Sequence, residues 1–404
     1  MSFAHPNAAF GRQYRFQDER NLPEYNSIQF YYRFEEGKGG NIFKDNIFID
    51  STDPLSYGAN LVTNPGFDGA YVAGVAPSWT IDAGVTATED VDDVDLTPAQ
   101  RLTNMNGFAQ AFRQTPIALT IGSIYYVQFG VRRISGAGNL NVKCDGLSTT
   151  SFDIANADLN LADPNAYVVG HFYGIATAAT TQFEFTASAT TLVIELTQVQ
   201  INLVGGGNHM VMEHSLYSNA DRGDNYYEFD GTTDFAKITD ARQSNMDLGS
   251  SWSSVAIMRA DSDGLSASKW LGTGSQRSWQ APRTTALRRL VTFWSHNGST
   301  VSNTQTNNNT VPAYPWTDYL CIGMSFAAGV VTFYKNGVLQ ANLSSSISGT
   351  TIFNSTAAAD LGRDEAATLY FDGRLGKQIL WNGAALTAYQ HRQVFNILRT
   401  DYGI

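Results

Sequence analysis

The chain has 404 residues, 43% of them hydrophobic and 16% charged, with a formal net charge of −11. That length supplies two or three domains of about 100–200 residues each. The acidic balance argues against a nucleic-acid or anionic-membrane partner, because contact with phosphate groups needs clustered Lys and Arg. The closest basic group, Arg283, Arg288 and Arg289, reads as a solvated turn. No run of about 18 apolar residues occurs, so no membrane insertion is expected. The opening MSFAHPNAAFGRQYRF has no apolar core of the kind that marks a secretory signal. Cys144 and Cys321 fall in segments that read as separate domains, and no Cys/His zinc spacing exists, so neither a disulfide nor a zinc site is expected.

In chain order, residues 1–58 come first, and twelve of the first 57 are Phe or Tyr. Phe30, Tyr31, Tyr32 and Phe34 are the densest part. So aromatic a segment needs a surface to pack on, either its own neighbouring domain or another subunit. The reading adopted is a docking arm onto a larger assembly. Residues 59–205 are β-patterned. In IGSIYYVQFGVRR, Tyr125, Val127, Phe129 and Val131 fall on one face, with Tyr126, Gln128 and Arg132 on the other. FEFTASATTLVIEL repeats the logic through Phe183, Phe185, Val193, Ile194 and, further on, Val199. Residues 206–225 read as a linker.

From residue 226 to 404 the β patterning returns. Asn336-Gly337 between apolar runs predicts a hairpin with a type I′ turn. In ATLYFDGRLGKQILWNGAAL, Leu375, Ile379 and Trp381 are expected in the core, Asp372-Gly373 in a turn, and Arg374 and Lys377 in water. The chain closes on a predicted helix. Thr387 and Gln390 have capping-box spacing, and Leu386, Tyr389, Val394, Ile397 and Leu398 follow a period near 3.6. The expected fold class is therefore all-β: two tandem antiparallel β-sandwiches of jelly-roll type, an irregular aromatic N-terminal arm and a short C-terminal helix.

Several of these stretches are similar to known families. YEFDGTTDFAKI, SWSSVAIMRA, the hairpin ending in KNGV and the closing FDGRLGKQILWNGAAL with its helix make residues 226–404 resemble the concanavalin A-like lectin/glucanase superfamily, in its laminin-G-like branch. That fold hosts lectins, hydrolases and inert structural domains alike. NLVTNPGFDGAYVAGVAPSW, with GSIYYVQFGVRR and the late strand, makes residues 59–205 resemble a carbohydrate-binding-module jelly roll. This second resemblance implies a structural Ca²⁺ held in part by Asp68. Thr197 and Gln198 stand where an acidic pair is expected, and no other cofactor is implied.

Glycoside hydrolysis needs two carboxyl groups about 5–9.5 Å apart, and no Glu-x-Asp-x-Glu strand occurs. EDVDDVDL at 89–96 reads as a solvated edge loop. No Gly-x-Ser-x-Gly elbow is present. His209 and His214 flank Glu213 without HExxH spacing, and Arg222-Gly223-Asp224 is a chance tripeptide. The remaining candidates are sugar-stacking aromatics. Trp79 and Trp381 are expected in the core. Trp294, Asn297, Trp316 and Tyr71 are the expected carbohydrate contacts, because sugar rings stack on exposed aromatic faces while amides bond the hydroxyls. The combined reading is a non-catalytic bacteriophage virion surface protein (head decoration, fibre or tail), made in the bacterial cytoplasm. It is expected to anchor to other virion proteins by its arm, to bind host surface glycans and to form a homo-oligomer. A polysaccharide hydrolase or lyase, and a ligand-free structural protein, stay open as alternatives.

Overall fold

The computed structural model describes residues 22–23, 28–32, 47–48, 56–91, 98–105, 111–148, 151–157, 159, 167–212, 226–243, 246–271, 276–364 and 369–404. Contacts divide them into two compact units, one centred on 56–212 and one on 226–404. No described helix is long and apolar enough to cross a membrane.

The first unit is a sandwich of two antiparallel sheets. One sheet runs Val168–Ile175, Ile124–Ser135, Val193–Gly205, Pro98–Thr103, Thr86–Val91, with Ser56–Asn60 also on Val193–Gly205. The other runs Ser151–Ile154, Leu140–Cys144, Thr180–Ala187, Phe112–Ala118, Thr80–Ile81. Tyr125, Val127, Phe129 and Val131 enter the core as the alternation predicts. Their neighbours Ile194 and Leu196 do so at even positions, but Val199 and Ile201 at odd ones. A bulge at Gln198, whose φ is +45°, absorbs the extra residue and resets the parity. From the opposite sheet come Leu140, Val142, Cys144, Phe183 and Phe185. Trp79 lies flat on Phe112 at 4.7 Å, so its core assignment holds. Part of the expected linker is strand, since Met210–Met212 pairs with Ile47–Phe48.

On the other side of the six-stranded sheet, Glu195 is fully buried. It accepts from Arg132 Nη2 at 2.7 Å, from Arg101 Nη2 at 3.3 Å and from the Tyr167 hydroxyl.

The second unit is also two-layered. A seven-stranded sheet runs Ile28–Tyr32, Asp372–Asn382, Ser251–Ala260, Leu320–Ala327, Val330–Lys335, Val338–Gln340. Tyr227–Asp230 shares the Asp372–Asn382 edge with Ile28–Tyr32. Facing it, Ala236–Ile238, Ala359–Leu361, Ala267–Trp270, Arg277–Gln280, Leu290–Ser295, Val301–Thr306 and Asn342–Ser346 pair in that order. Between the layers Trp252 meets Trp279 and Phe326 at 5.9 and 6.0 Å, and Trp294 meets Phe326 edge-on at 5.4 Å. The Asn336-Gly337 turn has φ of +51° and +71°, as the hairpin prediction requires.

The backbone of Phe30, Tyr31 and Tyr32 thus lies in a strand on the chain's own sheet, Tyr31 opposite Ile379. Phe34 lies outside the described residues.

The closing helix spans Ala388–Leu398, and both halves of the Thr387/Gln390 capping box form. It buries Val394 and Leu398 over Val255, Ile257, Cys321, Ile379 and Trp381. Tyr389 departs from the predicted apolar stripe and is exposed. Leu375, Ile379 and Trp381 are all buried. They do not share one layer, because a bulge sets Leu375 opposite Met258 while Ile379 and Trp381 lie under the helix. Asp372 and Gly373 open the strand instead of forming a turn. Lys377 does not face water. Alternation puts it on the same side as Ile379, where its ammonium meets Asp401 at 2.7 Å under the chain's last turn. Arg374 is half-buried over the Tyr226 ring and pairs with Glu228 at 3.4 Å.

His391 fixes the helix to the sheet through Ser325 Oγ at 2.9 Å and stacks on Tyr334 at 3.8 Å. Burial pushes its pKa down from 6.5 to about 3. The unfolded chain takes up this proton near the ordinary value and the folded chain does not. Stability held above that value is therefore lost as pH falls toward the folded pKa. Between about pH 7 and pH 4 the loss at this one group is on the order of 3 kcal/mol. Urea unfolding should show a flatter pH slope in His391→Gln than in the parent, and equal slopes would refute the assignment.

Candidate groove on the jelly-roll sheet

The outer face of the five-stranded sheet carries a groove. Leu140, Val142 and Cys144 point inward, so Asn141, Lys143 and Asp145 point outward. Phe183, Phe185 and Ala187 point inward, so Gln182, Glu184 and Thr186 point outward. Register then decides which of these meet. Glu184 stands opposite Lys143 on one side and Arg113 on the other. Its carboxylate lies 3.4 Å from Lys143 Nζ and 3.8 Å from Arg113 Nη1. Arg113 also pairs with Asp82. Lys143, Asp145, Gln182 and Glu184 line a cavity of about 260 Å³.

Asp145 is held from three directions. Its carboxylate accepts from Thr181 Oγ1 at 3.3 Å, from the Gln182 backbone N–H at 3.1 Å and from Gln182 Nε2 at 3.3 Å. Partial burial works to raise its pKa, but these hydrogen bonds outweigh it and hold the carboxyl below the ordinary value of 3.8. A glycosidase general acid needs the opposite shift. Beside the Lys143–Glu184 pair, the cross-strand partners Asn141 and Thr186 are buried. Asn141 donates to Asp153, while its Oδ1 and the Thr186 hydroxyl have no hydrogen-bond partner. Asn141 and Thr186 are closed off from solvent, so what the face offers is the Lys143 ammonium, the Arg113 guanidinium and the Gln182 amide next to the Glu184 and Asp145 carboxylates. That mixture suits a ligand with many hydroxyl groups, each both donor and acceptor.

The residues expected to bind carbohydrate lie elsewhere. All seven tryptophans are buried, which removes both Trp294 and Trp316 as sugar platforms. Trp294 fills the core against Phe326, and Trp316 stacks on Tyr314 at 5.9 Å. Asn297 is exposed but serves its own turn: Oδ1 accepts from the Ser299 and Thr300 backbones at 3.0 and 2.7 Å. Tyr71 is half-buried against the jelly-roll core and donates to the Ala99 carbonyl at 3.1 Å. Asp68 is exposed, its backbone bracketed by the Asn64 amide at 2.7 and 2.9 Å. Among the described residues no group of three or more His, Cys, Asp or Glu could hold a metal ion.

The Ser325–His391 pair resembles a nucleophile with its base, but it is buried beneath the helix and no substrate reaches it. His209 is buried, and residues 92–97 and 213–225, with Asp93, Asp95, Glu213, His214 and the Arg-Gly-Asp tripeptide, lie outside the described residues. The groove residues were legible only as polar positions in alternating strands. The pairing of Glu184 with Lys143, 41 residues apart, leaves no local sequence mark.

No family model matches the chain, and no curated protein matches it. Among solved structures, the chain is similar to domain 4 of AbnA, a GH43 extracellular arabinanase from Geobacillus stearothermophilus, in complex with arabinotriose, with 11% identity, 46% of this chain and 80% of that one covered, and a TM-score of 0.29. The CBM22-1 xylan-binding domain of Paenibacillus barcinonensis Xyn10C matches with 12% identity, 44% and 94% coverage, and a TM-score of 0.24. The binding domain of botulinum neurotoxin DC in complex with SialylT matches with 11% identity and a TM-score of 0.35 over 47% of this chain, and the chain spans 46% of that domain. At these scores any functional reading has to stand on the groove itself.

Proposed function

We propose that the protein is a non-catalytic surface protein of a bacteriophage virion that binds host polysaccharide through the groove at Lys143, Asp145, Gln182 and Glu184. The observation that carries the binding half is that groove, a cavity of about 260 Å³ lined by the side chains of Lys143, Asp145, Gln182 and Glu184. The non-catalytic half is supported by Asp145, which its hydrogen bonds hold below the ordinary carboxylate value and so unsuited to the general-acid role, and by the lack of a Glu-x-Asp-x-Glu strand in the sequence. The virion setting rests on the pairing of two rigid sandwiches with an aromatic segment in an acidic, sparsely charged chain. In that setting weak single sites gain strength from many copies.

Affinity electrophoresis through gels containing purified bacterial envelope polysaccharides tests the binding. The parent protein is expected to be retarded by at least one of them. Gln182→Ala and Asp145→Ala each remove a hydrogen bond of about 1–1.5 kcal/mol, so each should weaken binding about tenfold. No reducing ends should appear on incubation. A parent that ignores every polysaccharide, or variants that bind as well as the parent, would remove the groove from consideration. Release of reducing ends would favour the hydrolase alternative.

A further inference from the structure

We infer that the flank of the C-terminal sandwich formed by residues 338–347 is the interface between two copies of this chain. Both sheets of this unit end there. Val338–Gln340 is the last strand of the seven-stranded sheet, and Asn342–Ser346 is the last strand of the facing one. Only Ala341 separates them, so one short stretch supplies the open edge of both layers. Such an edge presents a row of backbone N–H and C=O groups available for pairing. Proteins that stay monomeric usually guard it with Lys, Pro or inward-pointing charge. Residues 338–347 contain no charged residue and no proline.

The apolar side chains agree. Leu339, Leu343 and Ile347 are 55%, 51% and 53% exposed, and Val338 and Val330 beside them are exposed as well. The charge distribution selects the occupant. From Leu290 to Ala359 the only Asp, Glu, Lys or Arg residues are Asp318 and Lys335, in a chain that is 16% charged. The Lys335 ammonium is spent on the Thr310 carbonyl at 2.7 Å. Two copies each carrying −11 repel wherever that excess is displayed; this flank carries no acidic residue, and the charge that the closing helix brings to its edge, Arg392 at 3.4 Å from the Gly337 carbonyl, is a cation. Like edges paired antiparallel across a two-fold axis are self-complementary, so a second copy fits without any further adaptation.

Light scattering coupled to size-exclusion chromatography of the full chain tests this. The parent should elute as a multiple of 44.1 kDa. Leu339→Lys and Leu343→Lys, at exposed positions, should each return it to the monomer mass with an unchanged circular dichroism spectrum. Ile121→Lys, exposed on the other unit, should leave the assembly intact. Added NaCl should tighten association, because salt screens the repulsion and spares the apolar contact. Hydrogen exchange on the parent gives a reading independent of any variant: amides of 338–347 should slow as protein concentration rises. A monomeric parent, Lys variants that keep the parent mass, or exchange indifferent to concentration would each overturn the inference.

Discussion

Replacing Glu195 with alanine is expected to destabilise the jelly roll by about 3–5 kcal/mol, among the largest effects of any single change in that unit. The Glu195 carboxylate has no exposed surface and gathers Arg132, itself buried, together with Arg101 and the Tyr167 hydroxyl. Removing it leaves a guanidinium in a low-dielectric site without the charge that compensates it, and that desolvation penalty dominates the loss. Glu195→Gln keeps the shape and one acceptor oxygen but not the charge, and should fall between parent and alanine variant. Urea unfolding followed by far-ultraviolet dichroism measures both, with the two units fitted as separate transitions. An alanine variant within about 1 kcal/mol of the parent would mean that water reaches Arg132 and the network is ornamental.

Trp294→Ala should cost the C-terminal sandwich about 3–5 kcal/mol, because the indole is wholly buried against Phe326 and its removal leaves a cavity. Its indole N–H has no hydrogen-bond partner, so Trp294→Phe gives up area without orphaning a polar group and should cost less than about 1.5 kcal/mol. Neither variant should change polysaccharide retardation at temperatures where it is folded. Loss of retardation by a Trp294 variant with parent-like unfolding would instead place the ring at a ligand.

That residue also marks where sequence reading stops. A tryptophan followed by Ser-His-Asn-Gly looks like a loop platform, yet the polar run is only the turn that ends a core strand, with Asn297 closing it. Local rules succeeded where the cause is local. The capping box, the Asn336-Gly337 turn and the alternation through Tyr125 to Val131 all depend on neighbours within a few positions. They failed where the cause is remote or is a parity change. The bulges at Gln198 and at Gly376 shift which residues face inward, and the helix turns the expected water side of Lys377 into an interior. The groove belongs to the remote class, since strand register alone brings Lys143, Glu184 and Arg113 together.

The place of Asp372–Asn382 inside its sheet imposes an order on biosynthesis. Ser251–Ala260 flanks it on one side, and Ile28–Tyr32 and Tyr227–Asp230 share the other. A ribosome delivers every described strand of the jelly roll by residue 212, so that unit can mature while translation continues. The seven-stranded sheet must wait for residue 382, and during that interval Ser251–Ala260 is an apolar strand with one side unclaimed. Ile28–Tyr32 leaves the exit tunnel before any other described strand and is among the last to find its neighbour, so the nascent chain must shelter it until Asp372–Asn382 has been made.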